Sequence, residues 1–416
     1  MKKLLVSSVL ASLTSVAMAN LDVHGPKGFT YLDGRLTLRP YVSFGYTFDS
    51  NVDSGRHSSN SSSWSVNPGI NFSYKTENLK IDGAVFYAYH AYSSGASKQL
   101  NNSSYGERLG VSYSNAESGW SFSLKEQFQK LSQDDDMAND NGKGYGRDRS
   151  QVNLDGVLNK RFGESFHAGV SGGYYWLDYD NNVDHYAPLY GWSRWSVGAE
   201  IGYTLSQWTD WFVTGSYQGY RQDNCNELGS TSTSLYGNNV GRTSRGWTIH
   251  TGLQSYLTER IKYRVSGGWT VFEYGNDVRR SNGFTYTGSL NWKIGETWNM
   301  MALASAYYHP SETSYGASMR TDSVSWGITK SLVENRLRAN FDLAYRHESH
   351  PHTEYSNDNY SSDILTARFG LNYTFNRWFS IYGNLEYQTS MNNGDNLDSR
   401  YDYDRWRGTV GFSFSY

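Results

Sequence analysis

The most constraining feature of the chain is the period-2 pattern of Arg405 to Tyr416. Trp406, Gly408, Val410, Phe412, Phe414 and Tyr416 are apolar or small, and Arg405, Arg407, Thr409, Gly411, Ser413 and Ser415 alternate with them. Successive side chains of an extended strand point to opposite faces, so this segment has one apolar and one polar face. It runs to the last residue of the sequence and ends on an aromatic ring. A closed barrel accounts for such an ending, because its last strand seals against its first and leaves no open edge. The same alternation should then recur throughout the chain.

It does. Leu36, Leu38, Val42, Phe44, Tyr46 and Phe48 mark a first strand, and a Ser- and Asn-rich loop follows from Ser50 to Ser63. Trp64, Val66, Ile70, Phe72 and Tyr74 mark the second, closed by the tight turn Thr76-Glu77-Asn78. Leu79, Ile81, Val85, Tyr87 and Tyr89 mark the third. Further short turns are expected near Glu117, Gly163, Thr209, Glu259, Glu296, Val333 and Asn376. Longer polar loops are expected near Gly95, Asp135, Asn182, Gly229, Asp277, Ser314, Pro351 and Gly394. The spacing predicts about 18 strands (roughly 16–18), each long enough for the 9–11 residues of a tilted membrane strand. An even number puts every short turn at one end and every long loop at the other. Alternation is weakest between Met319 and Leu332, where Met319-Arg320-Thr321 interrupts it.

Lys2 and Lys3 precede an apolar run from Leu4 to Val16 and an Ala17-Met18-Ala19 site. This predicts a cleaved secretory signal over residues 1–19, too short to span a bilayer as a helix. No later run approaches the length of a membrane helix, and mean hydropathy is −0.67. The abundance of Tyr (35), Trp (14) and Gly (42) against 6 Pro suits strands with interfacial rings. A formal net charge of −3 gives no basic footprint for nucleic acid. The single Cys225 cannot form an intramolecular disulfide and is given no role. No linker divides the remainder. Residues 20–34 are expected to be a periplasmic extension or plug, and residues 35–416 the barrel.

Trp120, Trp208, Trp211, Trp292, Trp298 and Trp378 all stand beside predicted short turns, the position of a membrane-interface girdle. The alternative, core tryptophans of a soluble sandwich, does not explain uniform hairpins together with a secretory leader. A solenoid would need a fixed repeat length, which is absent from the sequence.

If the apolar face meets lipid, the alternate face lines the lumen. Its charged members are Lys80, Asp82, Lys125, Asp155, Glu200, Lys262, Arg264, Arg336, Arg338, Asp342, Arg346, Arg368, Glu386, Arg405 and Arg407. Basic side chains outnumber acidic ones about two to one here, which would favour anions; a solvated face of balanced ion pairs is the plainer alternative. Between the fifth and sixth strands, Ser132 to Arg149 carries Asp134, Asp135, Asp136, Asp140, Lys143, Arg147 and Asp148 with interleaved glycines. Folded inward, it would set acidic groups against a basic wall and constrict the pore. An exposed acidic loop is the alternative.

His347, Glu348, His350, His352 and Glu354 form a short His-rich loop, but their spacing matches no standard metal site and Pro351 restricts it. Asp184 and His185 are not accompanied by a nucleophile at a recognisable position. No metal, cofactor or catalytic residue is expected.

The C-terminal stretch resembles the closing strand of bacterial outer-membrane β-barrels, in which Val410, Phe412, Phe414 and Tyr416 would be read by the barrel-assembly machinery. Over about residues 35–416 the chain resembles the porin-like barrels of the putative β-barrel porin 2 type. Their hairpins carry turns like Tyr373-Thr374-Phe375-Asn376-Arg377-Trp378-Phe379-Ser380 before a strand containing Glu386-Tyr387. In ordinal position, the 132–149 loop resembles the third external loop of classical porins. The resemblance implies a transmembrane antiparallel up-and-down barrel in the outer membrane of a Gram-negative-type bacterium. Expected partners are membrane lipid, the assembly machinery and small hydrophilic solutes, with a homo-oligomer left open. The implied role is passive diffusion of small hydrophilic solutes, including anions or acidic sugars. A structural or adhesive barrel is the first alternative, and a polysaccharide export conduit or barrel hydrolase follows.

Overall fold

The computed structural model describes residues 28–51, 60–93, 102–131, 149–179, 191–222, 243–274, 279–310, 318–333, 336–350, 360–393 and 402–416. Its elements are β1 (Phe29–Tyr31), β2 (Leu36–Asp49), β3 (Ser61–Lys75), β4 (Leu79–Tyr92), β5 (Asn102–Asn115), β6 (Trp120–Leu131), β7 (Arg149–Phe162), β8 (Phe166–Tyr179), β9 (Trp192–Ser206), β10 (Thr209–Gln222), β11 (Thr243–Thr258), β12 (Ile261–Tyr274), β13 (Arg279–Ile294), β14 (Trp298–Pro310), β15 (Ser318–Leu332), β16 (Leu337–His350), β17 (Tyr360–Asn376), β18 (Phe379–Asn393) and β19 (Tyr403–Ser415). From β2 to β19 each strand pairs antiparallel with the next, and β19 pairs with β2. The fold is a closed antiparallel 18-strand barrel. No helix long and apolar enough to cross a membrane is present among the described residues.

Following the register once round the barrel displaces a residue by about 22 positions along its strand. With 18 strands, such a stagger tilts them by roughly 40° and sets the backbone ~17 Å from the axis. A barrel of this size leaves room for an aqueous lumen.

The short turns are written into local side chains. Asn115 Oδ1 accepts the Ser118 N–H at 2.8 Å, Asn376 Oδ1 accepts those of Trp378 and Phe379, and Thr258 Oγ1 accepts those of Arg260 and Ile261. Asn, Thr and Ser in such turns satisfy the backbone that the ladder leaves free. Every expected short turn is present. The expected long loops centre on segments outside the described residues, as do Cys225, Asp184, His185 and the 1–19 leader.

The outer face is fixed by exposure. Trp120, Trp208, Trp211, Trp292, Trp298 and Trp378 are all exposed at the short-turn end. A second aromatic belt, not anticipated from sequence, circles the long-loop end through Tyr46, Trp64, Trp195, Tyr217, Trp247, Tyr387 and Trp406. There Tyr217 packs 4.6 Å from Trp247, and Tyr387 4.6 Å from Trp406. On β3 and β19 the two belts stand about ten residues apart, which at this tilt spans the ~25 Å apolar band of an outer-membrane barrel.

Closure involves both ends of the described chain. β19 covers β2 from Tyr41 to Asp49, and β1 pairs with the same strand lower down, Phe29 opposite Leu38 and Tyr31 opposite Leu36. Because β3 already pairs with Leu36–Leu38 on the other side, β1 continues the line of β19. Phe29 stacks on Tyr416 at 4.5 Å. The sheet therefore begins ahead of the boundary expected at residue 35, and Phe29–Tyr31 belong to the wall. Gly411, facing inward on β19, has no room for a side chain: a Cβ would lie 2.2 Å from the Phe44 carbonyl oxygen and 2.5 Å from the Tyr382 ring.

Two readings of local pattern are corrected. Ser318–Leu332 is one continuous strand, and its alternation is inverted rather than lost. Met319 is buried inside while Arg320 and Asp322 face outward, their ion pair (Nε–Oδ2 2.7 Å) allowing both to sit there. The His-rich stretch is also strand up to His350, not loop. His347 and Glu348 consequently face opposite sides and cannot share a ligand.

Candidate functional site

Fourteen of the sequence-selected charged residues lie in the wall on the inward parity: Lys80, Asp82, Lys125, Asp155, Glu200, Lys262, Arg264, Arg338, Asp342, Arg346, Arg368, Glu386, Arg405 and Arg407. Arg336 instead sits in the turn before β16, its N–H donating to the Val333 carbonyl. The constriction candidates Asp134, Asp135, Asp136, Asp140, Arg147 and Asp148 lie outside the described residues.

The register aligns several of these groups. Asp342, Arg368, Glu386, Arg407 and Asp49 stand directly opposite one another on β16, β17, β18, β19 and β2, so signs alternate along one row. Arg368 Nε donates to Glu386, and Arg407 Nε to Asp49 at 3.4 Å. Arg405, two residues above Arg407 on the same face, grips Asp49 with Nε at 3.0 and 2.9 Å and with Nη2. Because the strands tilt, the row climbs from mid-wall at Asp342 to the long-loop end of β2 at Asp49. Asn340 Nδ2 satisfies the other side of Asp342 at 3.1 Å. Each charge has opposite-sign neighbours, which is what holds ionised groups on a half-buried face.

Across the lumen, Arg264 on β12 reaches Glu200 on β9, which His167 approaches at 3.7 Å. Arg264 also donates to Gln254 at 3.1 Å and lies 3.7 Å above the Phe212 ring. Contact between strands three apart is possible only on the concave side of a barrel, which independently fixes this face as the lumen.

Water access differs around the wall. Lys80 and Asp82, paired at 2.6 Å, are about half exposed, and Lys125, opposite Asp155, is exposed. On β8 to β14, by contrast, Leu177, Trp192, Tyr220, Phe272 and Tyr308 form a buried apolar cluster towards the long-loop end. Beneath it His250 Nε2 meets Thr285 Oγ1 at 2.7 Å, and Thr270 joins Thr248 and Thr285. These polar groups are satisfied within a packed layer. On β4 to β6 the inward residues Tyr92, Ser104, Gln129 and Leu131 are likewise buried at the long-loop end, so the exposed charges mark access from the short-turn side.

Parity also reveals inward residues that sequence reading passed over, including Arg39, Lys75, Arg161, Asp210 and Lys293 near the short turns and Asp49, Arg108, Arg194 and Glu348 elsewhere. Asp49 lies one residue past Phe48, the last aromatic of its strand, and Glu348, paired with Arg346 at 2.8 Å, stands among the histidines in sequence. Among the described residues, no group of three or more metal-ligating side chains gathers.

A closed 18-strand barrel with two aromatic belts, a lipid-facing apolar wall and a charged lumen defines a porin-like protein of the bacterial outer membrane. The family described as putative beta-barrel porin 2 matches residues 193–415, more than half of the chain, and the protein belongs to it. No curated protein matches it in sequence. Among solved structures it is similar to the siderophore receptor PirA of Acinetobacter baumannii (10% identity, TM-score 0.46, 91% of this chain and 80% of that one). It is also similar to the outer membrane protein OpdK of Pseudomonas aeruginosa (11% identity, TM-score 0.43, 93% of this chain and 100% of that one).

Proposed function

We propose that the barrel is a passive diffusion channel for small hydrophilic solutes and that it favours anions, acidic sugars among them. The observation that carries this reading is the basic character of the lumen at its short-turn end. Arg39, Lys75, Lys80, Arg161, Lys262, Lys293 and Arg338 face inward there, against Asp82 and Asp210. Carboxylates of the turns themselves, such as Glu77, Glu117 and Glu259, stand beyond the wall at the rim. Net positive charge within a low-dielectric lumen concentrates anions and repels cations. The climbing row of Asp342, Arg368, Glu386, Arg407 and Asp49 is nearly balanced, so it orients polar solutes more than it selects their sign. No catalytic step is part of this function, and cleavage of residues 1–19 with folding by the assembly machinery would deliver the barrel.

Swelling of proteoliposomes tests the reading. A uronic acid should enter faster than a neutral hexose of equal size, and an amino sugar slower. Equal entry for all three, or faster entry of the amino sugar, would overturn it.

A further inference from the structure

The outer face carries a second arrangement of charge that the lumen does not explain. Arg245 on β11, Glu273 on β12 and Arg280 on β13 occupy one register row. They share the outward parity of Trp247, two residues below Arg245, and of Trp269 and Phe284, four residues below Glu273 and Arg280. The Nε groups of both arginines donate to Glu273, that of Arg280 at 2.9 Å. The Glu273 side chain is only 12% exposed, whereas those of Arg245 and Arg280 are 57% and 59% exposed. Arg221, outward on β10, adds a third exposed guanidinium beside Arg245.

We propose that this sector binds the phosphorylated headgroup of an anionic lipid in the outer leaflet. Glu273 engages each arginine through Nε, which holds the two exposed guanidinium groups in place while their Nη donors take no part in that contact. Planar guanidinium forks match phosphate oxygens bidentately, and fixing them beforehand removes part of the ordering cost of binding. Their depth is that of the headgroup layer, because the belt beneath them marks the edge of the apolar band. The sector has more guanidinium than carboxylate charge. Elsewhere on the same rim, the outward carboxylates Asp363 and Asp404 are held by the Tyr345 and Tyr387 hydroxyls. Lipid binding here is independent of permeation: a barrel that did not conduct would still carry the site.

Native mass spectrometry of the delipidated full-length barrel in detergent supplies the test, with bis-phosphorylated lipid A as the probe. Wild type should bind it, and the double variant Arg245→Gln/Arg280→Gln should bind at least about tenfold more weakly. Lysine at both positions should restore part of the affinity, and both variants should keep the heat-modifiable gel shift of a folded barrel. Affinity within twofold of wild type in the folded glutamine variant would overturn the proposal. So would equal binding of the same lipid stripped of its phosphates. Displacement of the lipid by millimolar inorganic phosphate would mark a free-anion site instead and would equally count against it.

Discussion

Replacing Asp49 by Asn should weaken the closing seam more than any other single polar change in the wall. Asp49 accepts from Arg405 and Arg407, and the Arg405 side chain is only 3% exposed. Removing one partner of a buried pair leaves an uncompensated charge, typically worth about 3–5 kcal/mol. Glu386, directly opposite Arg407, remains to offset part of that loss, so the expected cost is about 2–3 kcal/mol. Urea unfolding of the barrel refolded into liposomes, followed by tryptophan fluorescence, measures it. The double variant Asp49→Leu/Arg405→Met should lose less than the sum of its single variants, with a coupling of about 2 kcal/mol. A cost below about 0.5 kcal/mol, or strict additivity, would refute the argument that this pair stabilises the seam.

Two glycines of β19 should respond in opposite ways in the same assay. Gly411→Ala should cost about 1–3 kcal/mol, because its Cβ meets the Phe44 carbonyl and the Tyr382 ring. Gly408→Ala, with nothing within 4 Å of its Cβ, should change stability by less than about 0.5 kcal/mol. Glu107 and Glu126 face outward at mid-wall, Glu126 opposite Leu109 and Glu107 opposite Phe128. Glu126→Leu should therefore stabilise the bilayer-embedded barrel by about 1 kcal/mol, and a lower urea midpoint would show that lipid does not cover this height. Truncation of Phe414–Tyr416 removes stacking of Phe414 on Phe379 and of Tyr416 on Phe29 and Trp378; loss of the heat-modifiable species from outer-membrane fractions is expected.

The fold was legible because a period of two is the one signal a barrel cannot hide: every strand must show lipid an apolar edge, and parity follows from counting turns. What escaped the sequence are places where a strand's end or its local polarity departs from the rule. Asp49 ends β2 beyond its last aromatic, so its place in the charged row depends on β19, far away in sequence. Arg320 and Asp322 neutralise each other on the outer face, and Met319 fills the inside, so alternation inverts without the strand ending. Glu107 and Glu126 look like ordinary polar residues of an alternating strand until register places them outside. The charged residues of the lumen could be sorted by parity, but not their pairing. That Arg368 meets Glu386, and Arg264 reaches Glu200 across two intervening strands, follows from stagger and curvature, which no single strand encodes.

The most direct test of the central claim is single-channel recording in planar bilayers with a potassium chloride gradient. The purified, heat-modifiable barrel should insert with stepwise conductance and a reversal potential of the sign that marks chloride preference. Exchanging Lys80, Lys262, Lys293 and Arg338 for Gln should move that potential towards zero. A folded, inserted barrel that passes no current, or one that prefers potassium, would contradict the account.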